Sequence, residues 1–159
     1  MMPHEIKPDT QLCTILGYNA QTCYTRRYFN AILKENGINA TAIALNIKDE
    51  HLDVTLSSVG NSKVERMIVE AEFQKEAMHY CHLLNETAQQ KQRIDFIEVH
   101  EEKLHGYCLD DEAKALFCES SFLDAQILFV AKMMLIAHRW YGAKIDTNMI
   151  PLLIQKMKG

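Results

Sequence analysis

The chain has 159 residues, 48% hydrophobic and 24% charged, with 6 Gly and 3 Pro, which is the composition of one globular domain and excludes a disordered segment. A domain of this size buries roughly 70% of the surface its unfolded chain exposes, so its core needs no metal or disulfide staple. Lys and Arg number 17 against 21 Asp and Glu, a net charge of -4 with the basic residues scattered, so nucleic acid and anionic membrane are not expected partners.

The longest apolar run, residues 125–137, is interrupted by Gln126 and Lys132 and falls short of the ~18 residues a membrane span needs. The opening MMPHEIKPDTQL has no apolar h-region, so it does not read as a secretory signal. Five cysteines, Cys13, Cys23, Cys81, Cys108 and Cys118, are odd in number and form no CxxC, which fits free thiols in a reducing cytoplasm. The expected location is cytoplasmic.

In chain order, residues 12–16 form a β-prone run closing on Gly17, and the polar loop YNAQTCYT follows. Across 26–36, Tyr28, Phe29, Ile32 and Leu33 recur at helical spacing, and Asn36-Gly37 supplies a stop with Gly in the left-handed position. A second strand is expected over 41–47, a short polar helix from 48 to about 57, a turn at 59–62 and a third strand over 66–71. Phe73, Ala77, Tyr80, Cys81 and Leu84 then mark one face of a helix over 73–84. This alternation predicts an α/β fold, a mostly parallel sheet with helices on both faces. Strands at 94–99 and 104–107 flank HEEK as a hairpin, a long helix is expected over 122–141 with Gly142 ending it, and a last helix over 146–156 with Asp146 or Thr147 as N-cap. With no repeat or linker in sight, one domain is expected over 1–159, residues 1–110 forming its α/β part and 111–159 its C-terminal helices.

Four stretches together resemble the substrate-binding domain of shikimate dehydrogenases. Gly17, Cys23-Tyr24-Thr25, Phe29-Asn30 and Gly37 match without a gap the family's G-x-P-I-x-H-S-x-S-P-x-x-H-N and a Gly seven residues later. Phe73-Gln74-Lys75-Glu76-Ala77 resembles its P-x-K-E-A, and Leu104-His105-Gly106-Tyr107-Cys108-Leu109-Asp110 its L-x-G-Y-N-T-D. His138-Arg139-Trp140-Tyr141-Gly142 is similar to the W-T-G at the end of the family's long C-terminal helix. The resemblance implies a substrate-domain fold with C-terminal helices packing back on it. In the family a Rossmann-type NADP unit lies between the N-T-D motif and those helices. Here only residues 111–123 fill that interval, too few for one βαβ unit of ~30 residues. None of the six glycines forms a G-x-G-x-x-G phosphate loop, so no cofactor site is expected from this chain.

The resemblance also assigns residues. Lys75 and Asp110 match the family's proton-transfer pair, a Lys held near a carboxylate at strand ends facing one cleft; alternatively, Lys75-Glu76 is a solvated helix start and Asp110-Asp111-Glu112 caps the next helix. Cys23 and Thr25 match the Ser-x-Ser loop that grips the substrate carboxylate. Thr25 keeps a hydroxyl, whereas the thiol of Cys23 is a weak donor. The family's N-V-T becomes Val69-Glu70-Ala71, losing an amide and a hydroxyl at ligand-binding positions. Asp95 matches another ligand-binding Asn if one residue is deleted, and Lys132 the C-terminal helix Gln; the two are either a complementary pair in a changed pocket or surface residues.

His79, Cys81 and His82 fall at i, i+2 and i+3 of one predicted helix and do not converge on a metal. His100 and His105 read as exposed strand residues, and Met133, Met134, Leu135 and Ile136 as packing. Cys23 would be reactive only if a cation lowered its pKa. The expected function is therefore a domain that binds a small polar or anionic ligand and lacks its own NADP site. The alternatives are an enzyme using Lys75 and Asp110 with a cofactor domain from another chain, and a non-catalytic homodimer formed through the long helix.

Overall fold

The structure, a computed structural model, describes residues 7–117 and 124–158. Its elements are β1 (Gln11–Gly17), α1 (Tyr24–Glu35), β2 (Ala40–Asn46), α2 (Leu52–Val59, entered through a 3-10 turn), β3 (Arg66–Val69), α3 (Ala71–Ala77, left through a 3-10 turn), β4 (Leu83–Leu84), α4 (Glu86–Lys91), β5 (Phe96–His100), β6 (Lys103–Tyr107), α5 (Asp110–Ala115), α6 (Ala125–Tyr141) and α7 (Met149–Lys158). The expected start of the long helix at 122–123 and Cys118 lie outside the described residues.

The strands form one sheet in the order β2-β1-β3-β5-β6-β4. β1 and β3 are parallel with Leu16 opposite Val69, and β4 and β6 are parallel with Leu84 opposite Gly106. At the ends of β1 and β2, Gln11 N–H donates to Asn39 O at 3.1 Å and Ile47 N–H to Gly17 O at 3.0 Å, so these strands also run the same way. β5 is antiparallel to both its neighbours, which makes it the single reversed strand of a mixed, mostly parallel sheet. The expected α/β class holds.

Residue contacts divide the chain into two groups. One holds Cys13–Arg26 and Ala42–Leu109; the other holds the chain up to Leu12, Arg27–Thr41 and everything from Asp110 on. The first has its own core, in which Leu16, Met67 and Val69 of the strands meet Leu52, Leu56 and Val59 of α2 and Phe73 and Ala77 of α3. Fourteen such buried residues at roughly 1.5–3 kcal/mol per large side chain provide the main stabilising term there. In the second group α6 packs against α1: Phe129 lies edge-on to Tyr28 with centroids 5.8 Å apart, and Trp140 to Phe29 at 6.1 Å. Met133, Met134 and Ile136 are buried, as packing residues should be.

Helix ends follow local chemistry. Asp124 Oδ1 accepts from Gln126 N–H at 2.7 Å to start α6. At the other end Gly142, at φ 75°, sends its N–H back to His138 O at 2.9 Å, a left-handed exit that a side chain would strain. The two-residue turn between β5 and β6 has Glu101 at φ 52° and Glu102 at φ 67°, the signature of a type I′ hairpin.

Several expectations about boundaries change: β3 ends at Val69 and not at 71, and α7 begins at Met149 and not at 146. The helix expected over 73–84 stops at Tyr80, where Cys81 turns extended (φ -82°, ψ 135°), and Leu83–Leu84 joins the sheet as β4. The periodicity had registered burial correctly, because Tyr80, Cys81 and Leu84 all pack on the same core as Phe73 and Ala77; what changes after Tyr80 is the backbone. α4 was not anticipated, although Asn85 caps it by accepting from Ala88 N–H at 3.0 Å.

Candidate functional site

β1 and β3 run parallel and side by side, so Gly17 and Glu70, which follow their last paired residues, emerge at one sheet edge; Glu70 N–H donates to Leu16 O at 2.9 Å. Because β5 is reversed, its approach begins where β3 ends: Val69 N–H donates to Asp95 O at 2.9 Å, and Asp95 N–H to Tyr107 O at 2.6 Å. In open α/β sheets the carboxyl ends of the strands are where ligands bind.

Thr25, in the first turn of α1, is 3% exposed and donates its hydroxyl to Glu70 Oε2 at 2.9 Å. The other carboxylate oxygen, Glu70 Oε1, is buried and has no hydrogen-bond partner among the described residues. Glu70 reaches this place because position 17 is Gly. A Cβ there would stand 2.6 Å from Glu70 Cγ and 3.0 Å from its Cβ, too close for both to remain.

Cys23 is half-buried and its Sγ donates to Ala20 O at 3.2 Å. Burial, and then a hydrogen bond to the neighbouring Glu70 carboxylate, push its thiol up to about 11. Among the described residues no cation activates it, so the nucleophile considered from the sequence is a protonated thiol at neutral pH. The loop carrying it is pinned from several sides. Tyr18 N–H donates to Glu72 Oε2 at 2.9 Å, the Tyr18 hydroxyl bonds Asp49, its ring sits edge-on to Phe73 at 4.9 Å, and Arg26 Nε donates to Ala42 O at 3.1 Å.

Asp95 is 3% exposed, and its Oδ2 accepts from Leu109 N–H at 2.7 Å, so it braces the backbone leaving β6. Next to that exit, Asn85 Nδ2 donates to Cys108 O and Asn85 Oδ1 accepts from Cys108 N–H, both at 3.0 Å. Lys75 is exposed on α3.

In the other contact group, Asp110 opens α5 and is 2% exposed. Lys132 of α6, its side chain 12% exposed, forms an ion pair with Asp110 Oδ1. The sequence singled out both residues but paired Asp110 with Lys75 and Lys132 with Asp95. Lys132 reaches Asp110 because α5 and α6 pack together, a neighbourhood that no spacing in the sequence encodes. The Thr25–Glu70 bond was equally hidden: both residues were singled out, with Glu70 read as a loss of polar groups and not as a partner for Thr25.

No family model matches the chain. No curated protein matches it either. Solved structures do. Shikimate dehydrogenase from Aquifex aeolicus superposes with a TM-score of 0.62 at 19% identity over 81% of this chain and 55% of that one. Shikimate 5-dehydrogenase from Listeria monocytogenes, in complex with shikimate and NAD, gives 0.61 at 13% identity over 72% of this chain and 40% of that one. The 5-ketofructose reductase of Gluconobacter sp. strain CHM43 gives 0.61 at 13% identity, 81% of this chain and 51% of that one. The chain thus has a shikimate dehydrogenase-like fold and spans about half the length, or less, of these neighbours. Among the described residues no helix is long and apolar enough to cross a membrane.

Proposed function

We propose that this chain is a binding module: a single shikimate dehydrogenase-like substrate-binding domain that holds a small polar ligand at the edge where β1 and β3 end and builds no NADP site of its own. The observation that carries the reading is the Thr25–Glu70 pair, a buried hydroxyl in the first turn of α1 and a half-buried carboxylate just past β3, whose buried oxygen Oε1 has no donor among the described residues. A buried acceptor of that kind costs about 1–3 kcal/mol when unmet, so a site that retains it gains when a donor arrives. The neighbours' names support a small oxygenated carbon skeleton, since they refer to shikimate and to 5-ketofructose. The cytosol is the compartment this reading places it in.

Thermal-shift titration with shikimate, quinate, dehydroshikimate and neutral polyols tests it. A ligand present at 100 times its Kd stabilises by about 2.7 kcal/mol, roughly 5–10 °C in Tm for a domain this long. No shift with any member of the panel at millimolar concentration refutes the reading.

A second reading, an acid–base enzyme borrowing a cofactor domain from another chain, draws support from Asp110, a buried carboxylate charge-paired with a lysine. It is tested by adding candidate partner chains and comparing Lys75→Ala with Lys132→Gln; activity unchanged in both removes it.

A further inference from the structure

We infer that Glu70 sets the ligand preference of the strand-end site, which takes a molecule presenting an O–H or N–H donor to Oε1, an ammonium above all, and turns carboxylates away. The inference rests on the binding reading above and narrows it: of the expected polar or anionic ligands it keeps the neutral polar ones, adds cationic ones and drops the anionic.

Three facts about one carboxylate lead there. Thr25 has a single hydroxyl hydrogen, and it is donated to Glu70 Oε2 at 2.9 Å. Cys23, the other side chain beside Glu70, shares its single hydrogen between Ala20 O at 3.2 Å and the Glu70 carboxylate, and its thiol stays protonated. Neither has a hydrogen left for an incoming anion. What remains is Glu70 Oε1, buried and without a donor among the described residues. An incoming carboxylate would meet a fixed negative charge and two spent donors, whereas a hydroxyl would complete the set of hydrogen bonds and an ammonium would also neutralise the charge. Glu70 cannot swing away to make room in the direction of β1, because its Cβ and Cγ already lie against Gly17 in space that a Cβ at position 17 would need. Discrimination of this kind acts mainly by repulsion and unmet hydrogen bonds.

A matched set of three cyclohexane polyols tests the inference: quinate, its hydroxymethyl counterpart with the carboxylate reduced, and the corresponding aminomethyl compound. Isothermal titration of the full chain should rank aminomethyl above hydroxymethyl above quinate, with the extremes separated by about 10-fold or more in Kd, the scale of one charge-assisted hydrogen bond. The aminomethyl affinity should fall with added salt. In Glu70→Gln, whose side-chain amide carries a donor, the order should compress or invert. Quinate binding tightest to the wild-type chain overturns the inference and leaves the binding module standing. An unchanged ranking in Glu70→Gln also overturns it, by removing Glu70 as the cause. Binding of none of the three refutes the module itself and the inference with it. If Glu70→Gln fails to fold, as judged by circular dichroism, the wild-type ranking and its salt dependence still decide.

Discussion

A buried carboxylate and a half-buried one in this chain meet opposite fates. Asp110 is matched by a lysine from a neighbouring helix, while Glu70 has one oxygen held by Thr25 and the other facing no donor among the described residues. A charge that is paired inside the protein is committed to structure, since removing its partner leaves an uncompensated ion. A carboxylate left half-satisfied retains an interaction for something outside the chain. Of these two acids, both singled out by the sequence, Glu70 is the one to examine first for ligand recognition, although it was read there as a loss and Asp110 as part of the chemistry.

The largest effect that would sharpen this contrast is expected at the paired acid. Lys132→Met takes the lysine away from a buried carboxylate and should lower unfolding free energy by about 3–5 kcal/mol in urea titrations. The double change Lys132→Met, Asp110→Leu should recover most of that. If the single change costs nothing, the pairing is not structural and the comparison fails. Glu70→Gln, by contrast, should cost less than the Lys132 change, because no ion pair is broken there.

Next in size is Gly17→Ala, which drives a methyl group to within 2.6 Å of Glu70 Cγ. A loss of about 1–3 kcal/mol is expected, the range for overpacked sites. In a Glu70→Ala background, which removes Cγ but keeps the Cβ at 3.0 Å and Glu72 Oε2 at 3.0 Å, the same substitution should cost clearly less, and a full cost in both backgrounds would show that the Glu70 Cγ is not what limits that space. A change at the hairpin serves as a control. Glu101 and Glu102 both hold positive φ, so replacing them with Asn-Gly should raise stability by roughly 1–2 kcal/mol in thermal melts and leave ligand ranking untouched.

The smallest effect is a rate. With its thiol pushed up to about 11, Cys23 should alkylate with iodoacetamide at pH 8 on the order of 100-fold more slowly than an unhindered cysteine, because so little of it is thiolate. Peptide mapping reads this directly. Glu70→Gln removes one of the groups that raise the thiol and should speed the reaction; burial, the larger cause, keeps it below the free rate. No change in rate would separate Cys23 from Glu70.

Much of the fold was legible because it is written locally. Tyr28, Phe29, Ile32 and Leu33 announced α1, Gly37 and Gly142 marked helix ends, and alternating strands and helices announced an α/β sheet. β4 was not legible: two residues between a 3-10 turn and the Asn85 cap give no periodicity to read, and their burial continued the pattern of the preceding helix. α4 was within reach, because Asn85 followed by Glu86 is a helix start signal, but the polar ETAQQK that follows shows no apolar stripe. The polar partnerships were beyond sequence reading in principle. Thr25 meets Glu70 across 45 residues, and the pairing depends on two strands lying side by side, which only the folded sheet determines.

The contact between position 17 and Glu70 carries a consequence for how such a sequence drifts over time. A lineage that acquires a side chain at 17 while a long acid sits at 70 carries the cost of that contact, so the cheaper route shortens the acid first and replaces the glycine afterwards. Across descendants the two positions should therefore change in tandem, alanine or a larger residue at the first being favoured where the second is small.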